Sequence, residues 1–173
     1  PVGLGGEAAS FDVITGGRFI FGIGLGYRDE EDQAFGLSAG ERVPRLRTHL
    51  EIIKKLWAGA PVDFDAPYCR LRRATMALRP VQQPHPPIWV AANNDRAVER
   101  AAEIGDTWII NPHATLTTIR RQMGLYRAAL GHRAWSVGAH SSAPVPPTRL
   151  TVSRIADPAL ALIGTGFPFK NLD

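Results

Sequence analysis

Residues 16–36 read Gly-Gly-Arg-Phe-Ile-Phe-Gly-Ile-Gly-Leu-Gly-Tyr-Arg-Asp-Glu-Glu-Asp-Gln-Ala-Phe-Gly, an apolar run that turns into glycines and then into charge. Side chains alternate sides along a strand, so Gly22, Gly24 and Gly26 share one face at the C-terminal end of a strand predicted over residues 18–25. The near-continuous apolar character of that strand suits burial on both faces. Glycine at its end removes the side chains that would hold a flat or bulky ligand off the backbone. The segment reads as the mouth of a ligand site, the alternative being a glycine-rich edge or bulge without a ligand. A Rossmann-type nucleotide-binding turn is a further alternative, and it needs Gly-x-Gly-x-x-Gly between a strand and a helix. Here the third glycine comes one residue early, and Arg28 to Asp32 predict a charged loop rather than an apolar helix start.

Outward from this stretch the chain alternates helix and strand patterns, the grammar of a parallel sheet. A helix is predicted over residues 7–14, stopped by Gly16 and Gly17. Leu46, Leu50, Ile53, Leu56 and Trp57 fall three and four apart within a helix over 44–57, with Pro44 tolerated in its first turn and Gly59 as terminator. The Pro- and Arg-rich residues 60–87 predict a short hairpin around 62–71 and then an extended loop. Residues 88–92 read as a strand, and Asn93, Asn94 and Asp95 cap a helix that runs to Ile104 and closes at Gly105. A strand over 107–110 and a helix over 115–130 follow. After Arg133 charge thins out, Pro144, Pro146 and Pro147 break any helix, and residues 135–140 predict one more strand. The chain thus divides into residues 1–133 and an atypical tail, 134–173, that reads as an altered frame or an end without barrel closure.

Composition excludes several classes. With 45% hydrophobic and 21% charged residues among 173, the chain is that of a globular protein. The net charge of +4 comes from arginines scattered without a basic run or interleaved aromatics, which points to a solvated surface rather than nucleic acid. The lone Cys69 excludes an internal disulfide and a multi-cysteine zinc site, and it fits a cytoplasmic protein. No apolar run approaches the ~20 residues of a membrane span. Asp29, Glu30, Glu31 and Asp32 have no His or Cys at ligand spacing, so no metal is expected.

Several separated phrases resemble the bacterial luciferase-like flavin-dependent oxidoreductases. They are Phe11-Asp12-Val13-Ile14-Thr15-Gly16-Gly17-Arg18-Phe19, Gly22 to Tyr27, Glu41-Arg42, Leu56-Trp57, Leu78-Arg79-Pro80, Pro84 to Val90 and Ala101 to Trp108. The resemblance implies an α/β fold of the (β/α)8 TIM-barrel type. Such barrels typically need ~250 residues, so the chain is read as an incomplete barrel lacking its N-terminal third. It implies FMN or the deazaflavin coenzyme F420 as cofactor, a small organic substrate, an insertion over the barrel mouth at residues 60–87, and a homodimer when full-length. A truncated, non-catalytic homologue is the rival reading.

The turn over residues 90–96 is the strongest site on residue chemistry alone. A strand ends and a helix begins, so free N–H groups at the positive end of a helix dipole suit a phosphate. The resemblance places the flavin phosphate there, on Asn93 and Asn94, usually after Gly-Gly where this chain has Ala91-Ala92. The alternative is that Asn94 or Asp95 merely caps its helix. Arg45 matches an arginine that contacts the phosphate, with Arg42 close enough to compete; a surface pairing with Glu41 is the alternative. Gly24, Gly26 and Tyr27 are the candidates for packing against the isoalloxazine and ribityl chain, although Tyr27 also suits a rim position without contact. Of the five histidines, His113 alone follows a strand end where an acid or base would be useful.

Overall fold

The computed structural model describes residues 1–138 except Tyr27. The expectations for Tyr27 and for residues 139–173 therefore lie outside the described residues. In order, the elements are α1 (Val2–Ile14), β1 (Phe21–Ile23), α2 (Asp29–Ala34), α3 (Arg42–Ala58), β2 (Val62–Ala66), β3 (Cys69–Ala74), β4 (Ile88–Ala92), α4 (Asp95–Ile104), β5 (Thr107–Ile110) and α5 (Leu116–Gly138). Strand β4 lies between β1 and β5 and pairs in parallel with both. Phe21 aligns with Ile88, Ile23 with Val90, Val90 with Trp108 and Ala92 with Ile110.

The period of two along these strands decides which face is covered. Phe21, Ile88, Val90, Ala92 and Trp108 are buried in one cluster with Leu50, Ile53 and Trp57 of α3, Val98 and Ala101 of α4, and Ala8 and Ala9 of α1. Trp57 meets the Phe21 ring edge-on at 5.4 Å and donates its indole N–H to the Gly5 carbonyl at 2.9 Å, tying α1 to α3. The other face of the sheet carries Trp89 and Ile109, 37% and 36% exposed. Strand β1 is therefore covered on one face among the described residues, not on both, and it is shorter than the predicted 18–25. Its pairing stops at Ile23, and Gly26 takes a left-handed φ of +74° that leads the chain out of the strand.

Two further expectations are corrected. Residues 29–34 form α2 rather than a charged loop: four acids fill its first turn, where the helix dipole favours negative charge. Arg42 also binds both Asp29 and Asp32. The strand predicted over 135–140 begins instead as helix, because α5 continues past Leu130 and across Arg133 to Gly138. No proline interrupts that run, and Pro144 lies beyond it. The hairpin of β2 and β3 forms as predicted but reaches Ala74, and Val62, with Phe64 and Leu71, packs on Ile52 and Leu56 of α3. The hairpin thus rests on α3.

Two local contacts set the sheet in place. The buried Asp12 carboxylate accepts the Gln82 backbone N–H at 2.9 Å and its side-chain amide at 2.6 Å, while that amide also donates to the Phe19 carbonyl at 2.7 Å. This locks the Gly16-Gly17 turn before β1 to the loop before β4. At Gly105 an added Cβ would lie 2.4 Å from Val90 Cγ2 and 3.2 Å from the Ile88 carbonyl oxygen, so only glycine allows α4 to end against β4.

Urea unfolding tests both contacts. Asp12→Ala is expected to lower stability by about 1–3 kcal/mol through the unsatisfied Gln82 donors. Gly105→Ala is expected to cost about 1–3 kcal/mol by overpacking. A midpoint unchanged by either substitution would contradict the corresponding assignment.

Candidate functional site

Because β1, β4 and β5 run parallel, their C-terminal ends come together, and a cavity of about 570 Å³ opens there. Gly24 and Gly26 line it from the segment after β1, and Asn93 and Asn94 from the turn after β4. The structure thus joins two predicted halves of a site that are far apart in sequence. An added Cβ at Gly24 would sit 3.5 Å from Ala91 Cβ, whereas one at Gly26 would meet nothing within 4 Å. Ala91 and Ala92 both line the cavity, Ala92 with little of its surface exposed.

The turn after β4 is built by capping. Asn94 has extended backbone angles and its side-chain oxygen accepts the Ala97 N–H at 3.0 Å. The amides of the first helical turn, at Asp95 and Arg96, have no acceptor within the helix. Asp95 itself would repel an anion there, but Arg121 of α5 holds its carboxylate through two contacts, the longer at 2.8 Å. That guanidinium keeps the Asp95 carboxyl below the usual range, with a smaller contribution from Gln122. Gln122, buried, donates to the Asn93 carbonyl at 3.2 Å, and the Trp108 indole N–H donates to the Ala92 carbonyl at 2.9 Å. The turn is therefore anchored from α5 and from β5 while its amides stay available.

The remaining predicted residues fall elsewhere. Arg45 is not among the cavity residues: its guanidinium lies 4.6 Å over the Tyr68 ring and 3.9 Å from Glu41. Arg42 lines the cavity in its place, held by Asp29 and Asp32, and the Asp29 contact raises its pKa. His113 is exposed, donating its backbone N–H to the Asn111 side chain at 3.0 Å, and the cavity is lined by its neighbours Asn111 and Pro112. A residue that the sequence reading missed, Arg100, lines the cavity from α4. Asn94, Ala97 and Arg100 recur every third residue, the spacing of one helix face, and that was the available signal. Gln122 left none, since its partner is a backbone carbonyl reached only by folding.

A second recess, about 640 Å³, lies on the open face of the sheet between Phe11, Ile20, Trp89 and Ile109, with Glu7 and Arg18 at its margin. It is mainly apolar and lacks the converging donors of the first. The segment after β1 leads into the acidic α2, unlike the apolar helix of a Rossmann turn. Among the described residues no group of His, Cys, Asp or Glu could hold a metal ion, and no helix is long and apolar enough to cross a membrane.

Residues 1–159 match the luciferase-like monooxygenase family, so the match continues past Arg133 into the stretch that reads as an atypical tail. The oxygenase component of the flavin-dependent trigonelline monooxygenase of Acinetobacter baylyi is 35% identical over 132 residues, 75% of this chain and 36% of that protein. The phthiodiolone/phenolphthiodiolone dimycocerosates ketoreductase of Mycobacterium tuberculosis is 35% identical over 104 residues, 59% of this chain and 27% of its own. Among solved structures, the monooxygenase RslO1 from Streptomyces bottropensis superposes with a TM-score of 0.69 at 30% identity, covering 77% of this chain and 41% of that one. An F420-dependent secondary alcohol dehydrogenase shares the fold at a TM-score of 0.69 and 18% identity, covering 77% of this chain and 41% of its own. The chain thus spans about two-fifths or less of the length of these relatives. Its three parallel strands with helices on one face are part of a (β/α)8 barrel of the luciferase-like type.

The Asp95–Arg121 pair has a pH signature. The Asp95 carboxyl is expected to titrate below the ordinary carboxylate range by NMR. The stability it contributes is present above that range and is lost as pH falls through the lowered folded value. Arg121→Met is expected to return the titration toward the ordinary range; an unchanged titration would show that Arg121 does not hold the carboxylate.

Proposed function

Because the chain belongs to the luciferase-like monooxygenase family, we propose that the cavity at the strand ends holds a flavin-type cofactor, FMN or coenzyme F420. The phosphate lies at the N-terminus of α4 on Asn93, Asn94 and the first-turn amides, and the ring lies toward Gly24 and Gly26. The observation that carries this reading is the meeting of a side-chain-free strand end with a capped helix N-terminus at one cavity. The residues fit the group: open space adjoins Gly26, and the one acid at the helix end is neutralised by Arg121. A flavin-dependent relative and an F420-dependent structural neighbour support the two cofactor classes.

The whole protein is then an oxidoreductase acting on a small organic substrate, cytoplasmic and dimeric. When bound, the cofactor supplies either oxygenation with reduced FMN or hydride transfer with F420. This chain's share is to bind and orient. Helix-end amides receive the anion without reorganisation, and the glycine strand end lets the ring approach the backbone.

Fluorescence titration with FMN and with F420 tests the reading. Asn94→Asp retains a good N-cap residue while adding negative charge to the cradle, so the fold is kept and the anion is repelled. Saturable binding that weakens by about tenfold or more in the variant is expected. Equal binding by native chain and variant would place the phosphate elsewhere, and no binding of either cofactor by the folded chain would overturn the proposal.

A further inference from the structure

Arg42 on α3 and Arg100 on α4 line the cavity, and Arg45, the arginine singled out by the sequence resemblance, lies three residues after Arg42. Their surroundings differ in available negative charge. Arg42 is bound to Asp29 and Asp32, and its side chain is only 17% exposed. Arg45 stacks on Tyr68 beside Glu41, outside the cavity lining. Arg100 lines the cavity with Asn94 and Ala97, is half-buried, and makes no ion pair among the described residues. Glu103, one turn further along the same helix, is engaged by Arg47 instead.

We propose that Arg100 is the residue whose guanidinium pairs with the cofactor phosphate, an assignment that rests on reading the cavity as a cofactor site. A half-buried cation without an acid is costly, and an anion in the cavity relieves that cost. The planar fork of a guanidinium suits two phosphate oxygens at once, which a lysine does not match. Burial and, after it, the charge of Arg47 push the Arg100 pKa down, and Glu103 offsets them only in part. The opposite holds at Arg42, where acids push the value up. The phosphate would then sit between two sources of positive potential, the α4 N-terminus and Arg100, both on one helix.

The test separates phosphate from ring. FMN and riboflavin differ only by the phosphate, whereas F420 and its deazariboflavin core differ by the phosphate together with the carboxylate-bearing chain beyond it, so the FMN pair isolates the phosphate and the F420 pair the whole anionic tail. Each is titrated against the native chain, Arg100→Gln, Arg100→Lys and Arg42→Gln, with circular dichroism to confirm folding. Arg100→Gln is expected to weaken the phosphorylated ligand by about tenfold or more and the phosphate-free one by less than about twofold, with Arg100→Lys between. Added inorganic phosphate is expected to compete with FMN or F420 for the native chain more strongly than for Arg100→Gln. An equal loss for both ligands of a pair, or a selective loss only in Arg42→Gln, would overturn the assignment and leave the cofactor site standing. If Arg100→Gln does not fold, Arg100→Lys and the phosphate competition on the native chain decide. A native chain that binds no member of either pair would overturn the cofactor reading and this assignment together.

Discussion

The arrangement depends on the parallel register of β4 between β1 and β5. Pairing of Ile23 with Val90 and of Ala92 with Ile110 brings the ends of all three strands to one side. That side is where the chain leaves each strand in a loop, and loops there can carry binding groups without disturbing the core. An antiparallel neighbour would have placed Gly24 or Asn111 at the far end of the sheet. The register is itself fixed by burial, because a one-residue slip would expose Ile88 and Val90 and bury Trp89 against the helices.

At the strand ends the chain manages charge as carefully as shape. A helix N-terminus attracts anions, yet α4 begins with Asp95, which would close the cradle to a phosphate. Arg121 removes that conflict from α5, and Gln122 beside it fixes the Asn93 carbonyl. The same logic on the opposite wall runs the other way, since Asp29 and Asp32 of α2 take up Arg42. Arg100 is left as the cation without an ion pair among the described cavity residues, which is why it becomes the informative one.

Much of this was legible in sequence. The strands Ile88–Ala92 and Thr107–Ile110 lie at the expected bounds, because each is a short apolar run enclosed by Pro, Asn or Gly. The Asn94 cap and the Gly59 terminator, φ +88°, follow from local backbone chemistry alone. The misses are of another kind. Helix α2 was hidden because a run of four acids resembles a solvated loop until Arg42 and the helix dipole are placed beside it. The second face of β1 reads as buried because apolar sequence does not say which covering elements are present. Motif order points to Arg45, with Arg42 as its competitor, and passes over Arg100, whereas the cavity lining depends on how α3 and α4 lie against the sheet. Gln122 carries no sequence pattern at all, since it acts on a main-chain carbonyl.

The central claim is that the anion of a flavin-type cofactor sits at the start of α4, facing the glycines after β1. Backbone amide chemical shifts of the labelled chain, followed by NMR as FMN is added and compared with riboflavin, test it most directly. The account predicts that both ligands shift the amides of Gly24 and Gly26, and that only the phosphorylated one shifts those of Asn94, Asp95 and Arg96. Shifts confined to the apolar recess beside Phe11 and Trp89, or no difference between the two ligands at the start of α4, would contradict it.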